Sequence, residues 1–112
     1  MPAPSSQPEP CRQIGEVVAL AFGVSPDALR GATRGPAPIA FARQVAMYLG
    51  HVALGLSLTR VGQGFGRDRT TARHACHRIE NCRDDPAVDR LLADLEQCCT
   101  AAVARPQAQV RP

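Results

Sequence analysis

Apolar side chains return along most of the chain with the spacing of helices. After Cys11, the residues Ile14, Val17, Val18, Ala21 and Phe22 follow at i, i+3, i+4, i+7 and i+8, which aligns them on one stripe of an amphipathic helix. Gly23 closes that segment. Ser25 stands where a helix cap belongs and Pro26 at the first helical position, so 26–29 predicts a short helical piece. A second long helix is predicted over 39–54. Its apolar face is Phe41, Val45, Tyr48, Leu49 and Val52, with Arg43, Gln44 and His51 elsewhere on the wheel. Ser57 can cap a third helix over 58–65, with Leu58, Val61 and Phe65 on one side. After a tight turn at Gly66-Arg67, Asp68 caps a fourth helix ending near Cys82, with Ala72, Ala75, Cys76 and Ile79 inward. Pro86 opens a last helix that reaches Val103, with Val88, Leu91, Leu92, Leu95 and either Cys98 or Cys99 as its buried side.

No segment alternates with a period of two. The predicted fold class is therefore all-α, a compact bundle of about five helices that contains a helix-turn-helix. The 112 residues leave room for one domain, placed at 11–104. Residues 1–10 carry four prolines and no bulky apolar side chain, and are expected to form a disordered tail, as are 105–112. The segment from Arg30 to Pro38, with Gly31, Gly35 and Pro36, reads as a loop that holds Arg34.

Composition narrows the chemistry. The net charge is only +3, yet all thirteen basic residues are arginine. Arginine presents a planar fork of donors suited to phosphate and guanine edges, although a GC-rich genome would also produce this bias. Five cysteines without a secretory leader predict reduced thiols in a cytoplasmic protein. No apolar run approaches the roughly 18 residues of a membrane span, so no membrane partner is expected. His74, Cys76, His77 and Cys82 crowd one helix, but Cys76 falls on the inward stripe while both histidines do not. One ion could not reach them all, and neither a metal site nor a cofactor is predicted. A domain this small offers hardly any cleft for a Cys/His nucleophile, so no catalytic residues are assigned and no enzyme is expected.

The two helices around Gly66 hold the clearest chemistry. In a helix-turn-helix the second helix can lie in the major groove and meet base edges with its N-terminal residues. The outward face of that helix holds Arg69, Thr70, Arg73, His74 and His77, all hydrogen-bonding side chains at the positive end of a helix dipole. Between Arg60 and Arg83 six arginines face two acids, whereas between Asp84 and Glu96 five acids face one arginine. A basic face followed by an acidic helix predicts one side toward duplex DNA and one side away from it.

Three stretches carry a resemblance. They are Ala42-Arg43-Gln44-Val45-Ala46-Met47-Tyr48-Leu49, Val61-Gly62 through Phe65-Gly66-Arg67-Asp68-Arg69-Thr70-Thr71, and His74-Ala75-Cys76-His77-Arg78-Ile79-Glu80. In order and spacing they resemble the C-terminal DNA-binding domain of the DnaA replication initiator family over about 14–95, which implies a Trp-repressor-like helical fold. The resemblance implies double-stranded DNA as partner, at DnaA-box-like sites. Arg43 and Gln44 would touch the DNA backbone and flanking bases, Asp68, Arg69, Thr70 and Thr71 would read bases in the major groove, and Arg34 would enter the minor groove; Arg67 beside them is counted among the DNA-binding residues. It further implies a nucleoid-associated role in replication initiation or transcription.

The departures bear on specificity. Arg69 stands where the family usually has histidine, Arg73 where it is usually apolar, one glycine before Arg67 is missing, and the Arg34 loop is thin in basic residues. Two outcomes stay open, weak binding of the initiator's own box or preference for a related sequence. These 112 residues contain no P-loop and no lysine to complete one, so the expectation is a reader without the initiator's motor. The competing reading is a non-catalytic module that binds DnaA or a related ATPase regulator, with little DNA affinity. Monomer and dimer both remain compatible with the pattern.

Overall fold

The computed structural model describes residues 9–31 and 37–104. Arg34, residues 1–8 and the expected tail at 105–112 lie outside the described residues. Six helices follow one another: α1 Glu9–Phe22, α2 Pro26–Leu29, α3 Ala37–Val52, α4 Leu58–Gly64, α5 Arg69–Cys82 and α6 Pro86–Ala104. No strand occurs among the described residues. Helix α1 takes in Glu9 and Pro10, which the composition had assigned to the tail. A proline costs nothing in a first turn, where its missing N–H would be unpaired anyway.

Three side-chain caps mark three of the boundaries. The Ser25 hydroxyl accepts from the Ala28 N–H at 3.2 Å, Ser57 from the Arg60 N–H at 3.1 Å, and Asp68 from the Thr71 N–H at 2.8 Å. Each satisfies one of the donors that a helix start leaves unpaired.

Helix α3 is the axis of the bundle. Arg43 and every residue from Val45 to Gly50 are buried, because α1, α4, α5 and α6 all pack against it. Its expected single apolar face is therefore nearly a full circle, with only Val52 of that face turned out. Ile14 and Val18 of α1, Val61 and Phe65 at the turn, Ala72, Ala75 and Ile79 of α5, and Leu92, Leu95 and Cys99 of α6 complete the core. Some expected positions move. Ala21 is exposed and Cys11 and Ala19 are buried in α1, Leu91 faces outward in α6, and of the two cysteines left open there Cys99 is the buried one.

Two glycines shape the helix-turn-helix. At Gly62 an added Cβ would lie 2.6 Å from the Arg67 carbonyl oxygen, so the backbone of the turn passes directly over α4. Gly66 has φ +68°, a left-handed conformation that glycine adopts without strain, and it reverses the chain between the two helices. Arg83 closes the other end. Its guanidinium donates to the Tyr48 hydroxyl at 3.0 Å, to Glu96 at 2.7 Å and to Asp89 at 2.6 Å, and so ties α3 and α6 to the end of α5. These hydrogen bonds raise the Arg83 guanidinium above its ordinary value.

Candidate nucleic-acid interface

The start of α5 is presented by what surrounds it. Phe65 is fully buried beneath the turn, Asp68 caps the helix, and Ala72, Ala75 and Ile79 anchor one side to the core. The opposite side is open. Arg69, Thr70, Thr71, Arg73, His74 and His77 are all exposed, and α6 packs on α1 and α3 rather than over this face. Arg69 and Arg73 enter no hydrogen bond or ion pair among the described residues, so their donors face solvent. Arg78, also exposed, lies 5.9 Å from the Phe41 ring centre, a cation–π distance.

Asp68 is held as a carboxylate. The backbone N–H of Thr71, then its hydroxyl, lower the Asp68 carboxyl below its ordinary value, because both donate to the charged form. The sequence placed Asp68 among groups at the groove, and the structure gives its carboxylate a local partner in the cap.

Beside the turn lies a crevice of about 440 Å³ between α3 and α5, lined by Arg43, Gln44, Met47, Gly66, Arg67 and Thr71. Here the structure departs from the sequence reading. Arg43, expected to reach the DNA backbone, is only 4% exposed. Its Nε donates to the Leu29 carbonyl at 2.7 Å and its Nη2 to that of Ala28 at 3.1 Å. Burial, followed by the nearby Arg67 charge, lowers its guanidinium below the ordinary value. Arg67 is half-buried: Nη2 donates to the Gly31 carbonyl at 3.0 Å, and Nη1 to those of Gly66 at 3.1 Å and Phe65 at 3.4 Å. Gln44 keeps a buried Oε1 with no partner among the described residues, at the edge of the same crevice.

A signal for the inward turn of Arg43 was present. Ala46, Met47 and Gly50 follow it at i+3, i+4 and i+7, so its neighbours along that face of the helix are all uncharged. For Arg67 no such signal exists, because its partner Gly31 is 36 residues away. Of the six arginines between 60 and 83, Arg67 and Arg83 are engaged inside the domain, which leaves Arg60, Arg69, Arg73 and Arg78 on the outer surface.

Of the cysteines, Cys76 borders this face beside Arg73 and His77, and Cys11 and Cys99 are buried in the core. Burial pushes the Cys76 thiol up to about 11 and the Cys99 thiol up to about 12, while Cys98 is exposed. Among the described residues no three His, Cys, Asp or Glu side chains are placed to hold one metal ion, and no helix is long and apolar enough to cross a membrane.

Known proteins resemble this chain in sequence. The pattern of the family described as bacterial dnaA protein helix-turn-helix matches residues 11–79, from the start of α1 almost to the end of α5. The chromosomal replication initiator protein DnaA of Lactobacillus delbrueckii subsp. bulgaricus is 39% identical over 87 residues, which cover 76% of this chain and 19% of the relative. DnaA 1 of Protochlamydia amoebophila is 46% identical over 68 residues, covering 61% of this chain and 15% of the relative. DnaA of Thermoanaerobacter sp. strain X514 is 40% identical over 60 residues, or 53% and 14% respectively. The chain thus spans less than a fifth of the length of these curated relatives. A match running from α1 through α3, the turn and most of α5 covers more than half of the chain, so the protein belongs to the bacterial dnaA protein helix-turn-helix family.

Proposed function

We propose that the chain binds double-stranded DNA with α5 in the major groove, preferring sites like the DnaA box, and regulates replication initiation or transcription there. The observation that carries this reading is the open face of α5, where Arg69, Thr70 and Arg73 project from a helix start locked by the Asp68 cap. Thr70 and Thr71 suit phosphate or base edges, and Arg69 supplies a fork that matches the O6 and N7 acceptors of guanine. His74 and His77 extend the same face by two turns and would meet phosphates. Gln44 would act from the crevice beside it, and Arg34 is assigned to the minor groove by family resemblance. The protein would work in the cytoplasm at the nucleoid.

Fluorescence anisotropy with a box duplex, a scrambled duplex and varied salt tests this. Arg69→Ala should lower box affinity by about 5- to 150-fold, the range of one bidentate base contact, and Thr70→Ala by less. Unchanged box affinity in both variants would refute base reading by α5.

A second reading, a module that docks on DnaA or a related ATPase, has one observation in its favour: Leu20 on α1 is 85% exposed, a large apolar side chain away from the α5 face. Capture of DnaA that survives Arg69→Ala, together with no duplex binding by the wild type, would favour it.

A further inference from the structure

We infer that Arg43 and Arg67 form a latch, two guanidiniums that hold residues 28–31 against the helix-turn-helix turn and so act on DNA as positioning residues and not as phosphate contacts. This rests on the duplex-binding reading given above. Arg43 reaches from α3 to the end of α2 and places Nε and Nη2 on two successive carbonyls, Leu29 and Ala28. Arg67 bridges the next carbonyl but one, Gly31, to the carbonyls of Phe65 and Gly66 in the turn. Five backbone carbonyls from two distant segments are thus gathered by two forks. The segments also touch directly, since a Cβ at Gly66 would meet the Arg30 carbonyl oxygen at 3.9 Å.

Three features favour a latch over a phosphate seat. Arg43 is almost wholly buried, and its Nε and Nη2 are already taken by the Leu29 and Ala28 carbonyls. Neither arginine pairs with a carboxylate among the described residues, although the two positive charges lie close enough to influence each other. Like charges repel, and what holds them together is the set of carbonyl oxygens on which they converge, of which Ala28 alone also accepts a backbone N–H. Finally, Arg67 directly precedes Asp68, whose carboxylate caps α5. Displacement of Arg67 therefore displaces the cap and the first turn of the recognition helix. A planar fork is needed at both places, which a lysine ammonium does not supply.

The test separates contact from positioning. Loss of a phosphate contact weakens binding to all duplexes alike, whereas loss of a positioning residue weakens the preferred duplex most. Arg67→Met and the milder Arg43→Lys should each lower the ratio of box to scrambled affinity by about tenfold, the worth of roughly one base-edge contact. Equal weakening of both duplexes, or full affinity in Arg43→Lys, would overturn the latch. NMR of the isotope-labelled chain reads the same point without DNA. The Arg43 Nε–H should exchange slowly, and Arg67→Met should shift the backbone amides of residues 28–31. A rapidly exchanging Arg43 Nε–H, or amides unmoved in Arg67→Met, would also overturn it. A wild type that bound neither duplex would refute the DNA reading alone, one that bound both equally would refute its box preference, and in either case the free-protein spectra would still decide the latch.

Discussion

Two regions of this domain use arginine in opposite ways within a few residues of each other. Under the turn, Arg43 and Arg67 are drawn inward onto backbone carbonyls, and the chain around them is held by their forks. On the outer face of α5, Arg69 and Arg73 are exposed and enter no hydrogen bond or ion pair among the described residues, which leaves their donors for something outside the molecule. The side chain is the same, so the difference lies in what stands within reach. A guanidinium beside unpaired carbonyls becomes part of the fold, and one beside water remains available for binding. Charge counts along the sequence merge the two classes, whereas stability and affinity should separate them.

The sharpest separation is in stability. Arg43→Met keeps most of the buried stem but leaves the Leu29 carbonyl without its donor, while Ala28 retains the Gly31 N–H at 3.3 Å. A buried orphan carbonyl costs about 1–3 kcal/mol. At the usual sensitivity of a small domain, the melting temperature should fall by about 5–20 °C. Arg73→Ala, on the open face, should stay within about 0.5 kcal/mol of the wild type. Denaturant unfolding of the two variants in parallel checks this, and equal stabilities would erase the distinction between the regions.

The same contrast explains what could be read from the sequence. Helix starts were legible because Ser25, Ser57 and Asp68 are local signals, and each makes the expected bond three residues on. The open face of α5 was legible too, since Ala72, Ala75 and Ile79 mark its inner stripe unambiguously. The nearly complete burial of α3 was not, because periodicity reports one partner and this helix has several. Nor were the roles of Arg67 and Arg83, whose partners at Gly31 and Tyr48 lie 36 and 35 residues away. Those contacts are decided by how helices assemble, a level that local patterns do not encode.

A smaller effect should appear in the salt dependence of duplex binding. Each neutralised phosphate contributes about −0.9 to the slope of log affinity against log salt. If Arg73 meets a phosphate, Arg73→Ala should reduce the steepness by about 0.9 for box and scrambled duplexes alike. Arg69→Ala should act chiefly on the box duplex, because a base-edge contact carries sequence information and a phosphate contact does not. Titrations over a series of salt concentrations give both slopes. Identical behaviour of the two variants on both duplexes would mean that the outer face does not divide its arginines between base and backbone.

The least effect expected comes from the single acid at the tip of this basic face. The Thr71 backbone N–H and hydroxyl stabilise ionised Asp68, so its folded-state value lies below the ordinary aspartate value of about 3.9. The sign follows from linkage. A depressed carboxyl contributes stability that is complete above the unfolded value and is lost as pH falls through the folded value. The first turn of α5 should therefore stay capped at neutral and mildly acidic pH and fray only in stronger acid. The Thr71 amide resonance, followed by NMR, should titrate with a midpoint below about 3.9, and Asp68→Asn should remove that titration while keeping an acceptor at the cap. A Thr71 midpoint at or above the ordinary aspartate value would show that the start of α5 is not held by this carboxylate. The open face would then owe its geometry to the carbonyl-bound arginines beneath the turn alone.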